Sequence, residues 1–244
     1  MKKEEAHSLA GRKLFIGLPA YDFKVSLKLA ISLAKLAQHA PRHGVDIQIG
    51  SICGCSVVSR ARNLLVNDFI ESDCDTLLFI DSDINFEADD VFRLMAWTAE
   101  SGRDIVAGVP RTRSADKVYI ADLDEDAGSL TMDARGLVKA QRVATAFMMI
   151  RREVITSYVE QNPARQYFDG RLKKTVPCIF DFLLTEEGYI GEDYLFCDQA
   201  QDRGFYIWVD PAIKLGHMGV QEYEGDFGAD VLYPMIVPPV EEAA

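Results

Sequence analysis

The chain is poor in the features that staple small secreted folds or cross membranes. Its five cysteines are an odd number with no CxxC pair, which argues against a disulfide framework or a thiolate zinc site and fits reduced thiols. Cys53-Gly54-Cys55 is too tight for an easy disulfide and reads as a turn. No window approaches the roughly 18 apolar residues of a spanning helix. The start, MKKEEAHSLAGRK, is too polar to hold the apolar stretch of a signal peptide. These points lead to the expectation of a cytoplasmic protein without a membrane span. Positive charge is also short, with 26 Lys+Arg against 38 Asp+Glu and a net charge of −12. An extended nucleic-acid surface needs clustered Lys and Arg to neutralise phosphates, so none is expected. Small anionic ligands bound at local sites remain open.

What is present is a globular balance, 48% hydrophobic and 26% charged over 244 residues, enough for one sizeable core. KLFIGLP (13–19) is an apolar run stopped by proline and predicts a buried strand. From Lys24 the pattern turns helical, with Leu29, Leu33 and Leu36 on one stripe, and ends near Pro41 and Gly44. Residues 46–52 alternate as a strand, 57–72 repeat as a helix, and TLLFI (76–80) is apolar throughout, as in a strand covered on both faces. A helix over 86–100 with Glu87, Asp89 and Asp90 in its first turn precedes a strand at 104–110. Strands and helices alternating at this pace predict an α/β fold with a mostly parallel central sheet.

Beyond Pro110 the pattern loosens into a basic loop (Arg111, Arg113, Lys117) and two weakly alternating runs around Asp126-Ala127-Gly128 that read as a β-hairpin. Residues 148–162 read as a helix, 162–177 as a loop, and 191–204 as a helix closed by glycine. YIWVDP then returns as a strand, followed by a histidine-bearing turn, LGHMG. The tail VPPVEEAA is the nearest thing to a linker.

The sharpest chemical signal is LLFIDSDINF, a buried-strand run ending in Asp81-Ser82-Asp83. Open parallel sheets bind ligands just beyond the carboxyl ends of their strands, where these carboxylates would emerge. Side chains at i and i+2 of extended chain share a side, so both could approach one cation, or one cation and a ribose. Hard oxygen ligands suit Mg2+ or Mn2+ carrying phosphate oxygens. The plain alternative is that they cap the next helix and face water.

LLFIDSDINF resembles the DxD strand end of the GT-A fold glycosyltransferases, nucleotide-sugar-dependent enzymes with a Rossmann-like half. IGLPAYD resembles their first strand and base-holding turn. SRARNLLVNDFIESDCDTLLFID resembles the arginine-bearing helix before the DxD strand. GEDYLFCDQAQDRGFYIWVDP resembles the acceptor-side helix and strand, with LGHMG as a metal-binding histidine turn. The resemblance covers about Lys13 to Gly219 and is closest to the family 2-like members. It implies a GT-A three-layer sandwich at 13–219, with a nucleotide-sugar half (13–110) and an acceptor half (111–219) carrying a small hairpin. An N-terminal tail (1–12) and a C-terminal extension (220–244) would flank it.

By that resemblance Pro19 and Tyr21 line the nucleotide pocket and Arg62 meets uracil or phosphate. Asp81 binds the ribose or the metal and its water, Asp83 ligates Mn2+ or Mg2+, and His217 completes the metal's protein shell. Glu192 and Asp193 supply the base that takes a proton from the acceptor hydroxyl, with Asp193 in that role in inverting enzymes; capping of the helix is the alternative for both. The implied activity is transfer of a sugar from a nucleoside-diphosphate sugar, UDP-linked, to an unspecified acceptor. A haloacid dehalogenase-type phosphotransferase, which also uses DxD, and a non-catalytic nucleotide-sugar-binding module are the competing readings. Phosphotransferases of that type place DxD on the first strand, which counts against that reading.

Other residues take plainer roles. His7, His39 and His43 lie in polar, exposed stretches. Trp97 belongs on the core face of its helix, and Tyr206 and Trp208 in sheet packing. Arg111, Arg113 and Lys117 either clasp an anionic ligand or form a solvated loop, the latter being the more ordinary. Tyr223, Phe227 and Tyr233 are candidates for an acceptor surface or a homodimer contact.

Overall fold

Strand β1 (Lys13–Ala20) and β3 (Thr76–Ile80) are apolar at nearly every position because both faces of the central sheet are covered. Their alternate side chains feed two separate cores: Phe15, Leu77 and Phe79 point to one, Leu14, Ile16, Leu78 and Ile80 to the other. A computed structural model describes residues 9–126, 129–186 and 188–236 of the chain. His7, Ala127-Gly128 and the tail VPPVEEAA lie outside them.

Between those strands come α1 (Leu27–His43), β2 (Asp46–Cys53) and α2 (Val58–Glu71). Helix α1 starts at Leu27 rather than Lys24 because the Ser26 hydroxyl caps it, accepting from the Leu29 N–H at 3.0 Å. It stops at Gly44, whose φ of 65° is one that side-chain-bearing residues rarely adopt. After β3 follow β4 (Ile84–Asn85), α3 (Ala88–Thr98) and β5 (Ile105–Ala107).

The second half contains β6 (Ala121–Leu123), the small hairpin β7 (Glu125–Asp126) and β8 (Ser129–Leu130), β9 (Val138–Val143), β10 (Phe147–Arg151) and α4 (Arg152–Gln161). Next come the hairpins β11 (Gln166–Asp169) with β12 (Lys174–Pro177) and β13 (Leu183–Thr185) with β14 (Gly188–Ile190). They are followed by α5 (Glu192–Gln201), β15 (Ile207–Val209), β16 (Gly216–Met218), β17 (Glu222–Glu224), a π-helical turn (Gly228–Leu232) and α6 (Tyr233–Ile236).

The main sheet has eight strands in the order β2-β1-β3-β10-β5-β15-β9-β6. Strands β2, β1, β3, β5, β15 and β6 run one way, while β10 and β9 oppose them. Helices α1 and α3 pack on one face, and α2, α4 and α5 on the other. This is the three-layer α/β arrangement with a mostly parallel sheet that the alternation of segments predicts.

Three local expectations are corrected. Residues 148–162 are not one helix: Phe147–Arg151 is a fully internal strand and the helix begins at Arg152. A short apolar run such as FMMI carries no periodicity that separates a buried strand from a buried helix. The expected loop at 162–177 holds the β11–β12 hairpin. The buried Asp169 carboxylate ties its turn, accepting from the Arg171 and Leu172 N–H groups at 3.0 Å and from Arg60 at 2.7 Å. The histidine-bearing turn is strand β16, which pairs with β4 and β17.

The described residues of the flanks also belong to the packed fold. Leu9 is buried, and Arg12 pairs with Asp75 at 2.6 Å, so residues 9–12 are not a free tail. Phe227 and Leu232 are core residues, so Phe227 is not available as a surface contact, whereas Tyr233 is exposed. Trp97 is buried as expected, and Trp208 is a sheet residue whose indole donates to the Gly102 carbonyl at 2.9 Å. Tyr206 instead lies outside the strand and is half exposed.

Candidate active site

The Asp81-Ser82-Asp83 turn is fixed by hydrogen bonds to three different elements. The Asp81 N–H donates to the Ala146 carbonyl before β10 at 3.0 Å, and the Ser82 carbonyl accepts from the Ser26 N–H at the start of α1 at 3.0 Å. The Asp83 carbonyl accepts from the Met218 N–H of β16 at 2.7 Å. A cavity of about 200 Å³ opens beside this turn, lined by Pro19, Tyr21, Ser56, Ala61, Asp81 and Asp83 among others. It lies beyond the carboxyl ends of β1 and β3, the position at which open α/β sheets bind ligands. Pro19, Tyr21, Asp81 and Asp83 thus share one cavity wall.

Phe23 escaped the sequence reading. It holds a φ of 62° in the turn after β1, and its ring packs over Gly54, where a Cβ would meet it at 2.8 Å. Left-handed backbone at an aromatic residue is uncommon and clusters near ligand sites.

The two carboxylates of the turn take different partners. Asp81 lies 3.3 Å from Arg62, and the same guanidinium binds Glu192. Arg62 is only 4% exposed, so it bridges α2, the end of β3 and the start of α5 through two carboxylates. Sequence could place this arginine on its helix but not name its partners.

Asp83 faces His217 Nε2 at 3.4 Å and Arg113 at 3.1 Å. The other imidazole nitrogen, Nδ1, donates to the Arg111 carbonyl at 2.8 Å. A carbonyl only accepts, so Nδ1 carries a hydrogen and Nε2 is turned to Asp83. Burial would raise the Asp83 carboxyl, but the His217 hydrogen bond and the charges of His217 and Arg113 hold it below its ordinary value. For His217, burial works downward, while Asp83 and the Arg111 carbonyl raise it above the usual imidazole value.

Among the described residues no group of three or more His, Cys, Asp or Glu is arranged to hold a metal ion. The Asp83 and His217 pair nonetheless fits a hard divalent cation. An imidazole Nε2 oriented by a carbonyl on Nδ1 is the usual form of a histidine ligand, and Mg2+ commonly takes one or two protein ligands with phosphate oxygens and water.

Glu192 and Asp193 stand in the first turn of α5. Glu192 is engaged by Arg62. Asp193 accepts from the Tyr194 N–H at 3.0 Å, and burial followed by the neighbouring Glu192 charge pushes its carboxyl above the ordinary value. A carboxylate with a raised pKa is the stronger base of the two kinds.

The basic loop is not simply solvated. Arg111 donates to the carbonyls of Ser114 and Ala115 at 3.1 and 2.7 Å, Lys117 pairs with Asp230 at 2.5 Å, and Arg113 reaches Asp83. His43 is exposed and stacks on Phe92 with ring centres 4.0 Å apart, while His39 is half-buried on α1.

No family model matches the chain, and no curated protein matches it. Solved structures do. The chain is similar to A197 from STIV at 18% identity and a TM-score of 0.53, covering 85% of this chain and 86% of that one. The fold is GT-A. It is likewise similar to GalNAc-T7, solved with UDP, GalNAc and Mn2+, at 10% identity and a TM-score of 0.52. That match covers 85% of this chain and 44% of the other, so the chain spans less than half of that protein's length. On the GT-A frame, the cavity beside Asp81-Ser82-Asp83 and the acidic start of α5 occupy the carboxyl-end rim of the sheet.

Proposed function

We propose that the chain is a glycosyltransferase that moves a sugar from a nucleoside-diphosphate sugar, UDP-linked, to an acceptor hydroxyl. The observation that carries this reading is the meeting of the turn after β3 with the first turn of α5 through one buried arginine. Arg62 binds both Asp81 and Glu192, which sets the donor-side carboxylates beside the candidate base Asp193. The cavity supplies the rest of a donor site, with Tyr21 exposed on its wall as a surface for a base.

In this reading Asp83 and His217 hold Mn2+ or Mg2+. The cation would supply stabilisation of charge developing on the departing nucleoside diphosphate. Asp81 accepts hydrogen bonds from the ribose, and Pro19 and Tyr21 bound the base. Arg62 acts by positioning Asp81 and Glu192 rather than by touching uracil. Asp193 takes the proton of the acceptor hydroxyl as it attacks, a role its raised basicity favours.

The test is release of UDP from a panel of UDP-sugars, with and without Mn2+, since transferases slowly pass sugar to water when acceptor is missing. Metal-stimulated release from at least one donor is the expected result. No release across the panel, with UDP still bound, would turn the reading into a binding module. Hydrolysis of phosphomonoesters through a trapped aspartyl-phosphate would replace it with a phosphotransferase.

A further inference from the structure

The loop between β5 and β6 is folded by its own groups. The Thr112 N–H donates to the Val118 carbonyl at 2.8 Å, Arg111 pairs with Tyr119 as a β-bridge, and the Ser114 hydroxyl donates to the Asp116 carbonyl at 2.8 Å. The Arg111 guanidinium turns back onto the Ser114 and Ala115 carbonyls, and the Lys117 ammonium goes to Asp230. Arg113 is the basic residue of this loop whose charge is aimed at Asp83.

The loop therefore touches both residues assigned above to the cation. The Arg111 carbonyl orients His217 through Nδ1, and Arg113 Nη1 stands 3.1 Å from Asp83 Oδ2. His217 Nε2 faces that same oxygen at 3.4 Å. One carboxylate oxygen is thus shared by an imidazole and a guanidinium.

The stem of Arg113 crosses the turn between β16 and β17, where a Cβ on Gly219 would meet Arg113 Cδ at 3.0 Å and the Tyr223 ring at 3.2 Å. The charged end of that stem is half exposed, and exposed ion pairs are weak enough to be exchanged. A divalent cation held by Asp83 and His217 competes for the oxygen that Arg113 holds and also repels the guanidinium. A phosphate oxygen bound to the same cation lies one coordination shell from Asp83, in the neighbourhood Arg113 already occupies. The guanidinium fork matches phosphate oxygens closely. Charge points the same way. The cation alone leaves Arg113 beside a positive centre, whereas the doubly negative diphosphate of a nucleotide sugar cancels the cation and gives the guanidinium an anion again.

Resting on the reading of Asp83 and His217 as cation ligands, we propose that Arg113 couples the cation to the donor. It is the counter-ion of Asp83 until the cation takes that carboxylate, and it binds the donor's diphosphate afterwards. Arg113 opposes the cation by itself and favours the cation with diphosphate, so the binding of each strengthens the other.

Calorimetric titrations of the full chain test it with Arg113→Met, which keeps the stem over Gly219 and removes the charge. Titrated with Mn2+ alone, this variant should bind about two- to fivefold more tightly than the unsubstituted chain, the range for loss of an exposed ion pair. Titrated with UDP in excess Mn2+, it should bind roughly tenfold more weakly. Inorganic pyrophosphate in excess Mn2+ should show the same loss, since the guanidinium meets phosphates and not the base. Arg113→Gln should reproduce both changes and carries the test if Arg113→Met fails to fold. Lys117→Met removes an equal charge from the same loop and should leave both affinities within about twofold. The signature is the opposite sign of the two changes, which a general loss of structure does not produce. An unchanged or weaker Mn2+ affinity without nucleotide, an unchanged UDP or pyrophosphate affinity, or the same pattern in Lys117→Met would each overturn the proposal and leave the transferase reading in place. Failure of the unsubstituted chain to bind UDP in excess Mn2+ would instead remove that reading, and the proposal with it.

Discussion

Replacing Arg62 by methionine should destabilise the fold more than any other single change at the rim of the sheet. The guanidinium is 4% exposed and holds Glu192 and Asp81, with the half-buried Asp193 next in sequence. Removing it leaves acidic groups crowded without a counter-charge, and breaking a buried pair by deleting one partner costs about 3–5 kcal/mol. Unfolding entropy of about 2.1 cal/mol/K per residue gives roughly 0.5 kcal/mol/K for a chain of this size, so the melting temperature should fall by about 6–10 °C. Adding Glu192→Gln to Arg62→Met should recover part of it, measured as a double-mutant cycle by thermal and urea unfolding. A deficit under about 1 kcal/mol would show that Arg62 is not the counter-charge on which these carboxylates depend.

Asp83→Asn should lower Mn2+ affinity in calorimetric titration and cut metal-stimulated UDP release by about 10²–10³-fold; wild-type-like release would remove Asp83 from the metal. Asp193→Asn should keep the UDP-induced thermal shift but lose about 10²–10⁴-fold in transfer. In the unsubstituted protein, kcat/KM should drop as pH falls through a value above the ordinary aspartate pKa, since Asp193 must be ionised to act as a base and burial raises it. A different test concerns Asp90, whose carboxyl is pushed up to about 6 by burial, with Glu87, Asp210 and Asp89 adding repulsion. Its ionised form penalises the fold above that pH, so Asp90→Asn should stabilise by about 1 kcal/mol near pH 8 after allowance for solvent screening, with the gain fading below about pH 4. A constant gain across that range in thermal melts would refute the assignment.

Much of the frame was legible because its signals are local. Strands β1, β2 and β3 follow from apolar runs and alternation, and α2, α3 and α5 from their spacing. The carboxyl-end position of Asp81 and Asp83 follows from β3 alone. What could not be read depends on pairing between distant segments. FMMI becomes a central strand only because β3 and β5 stand open on either side of it. His217 reaches Asp83 because β16 pairs with β4 across more than half the chain. Arg62 was placed correctly on its helix, yet its carboxylate partners come from two other elements. Arg113 was grouped with a loop whose ordinary reading is solvation, and no local pattern distinguishes it from its neighbours as the residue that meets Asp83.

The reversed strand β10 has an outcome for how the molecule is assembled. It completes one edge of β3, Phe147 opposite Ile80, and the residue just before it supplies the carbonyl that pins the Asp81 amide. A ribosome must therefore deliver all of β10 before the acidic turn gains that bond, and β16, whose Met218 N–H binds the Asp83 carbonyl, comes later still. Contacts so distant in sequence are closed late. A fragment stopping near Pro110 would carry Pro19, Tyr21, Arg62, Asp81 and Asp83 and still lack both His217 and the partner that shapes the turn, so these halves cannot be exchanged like cassettes.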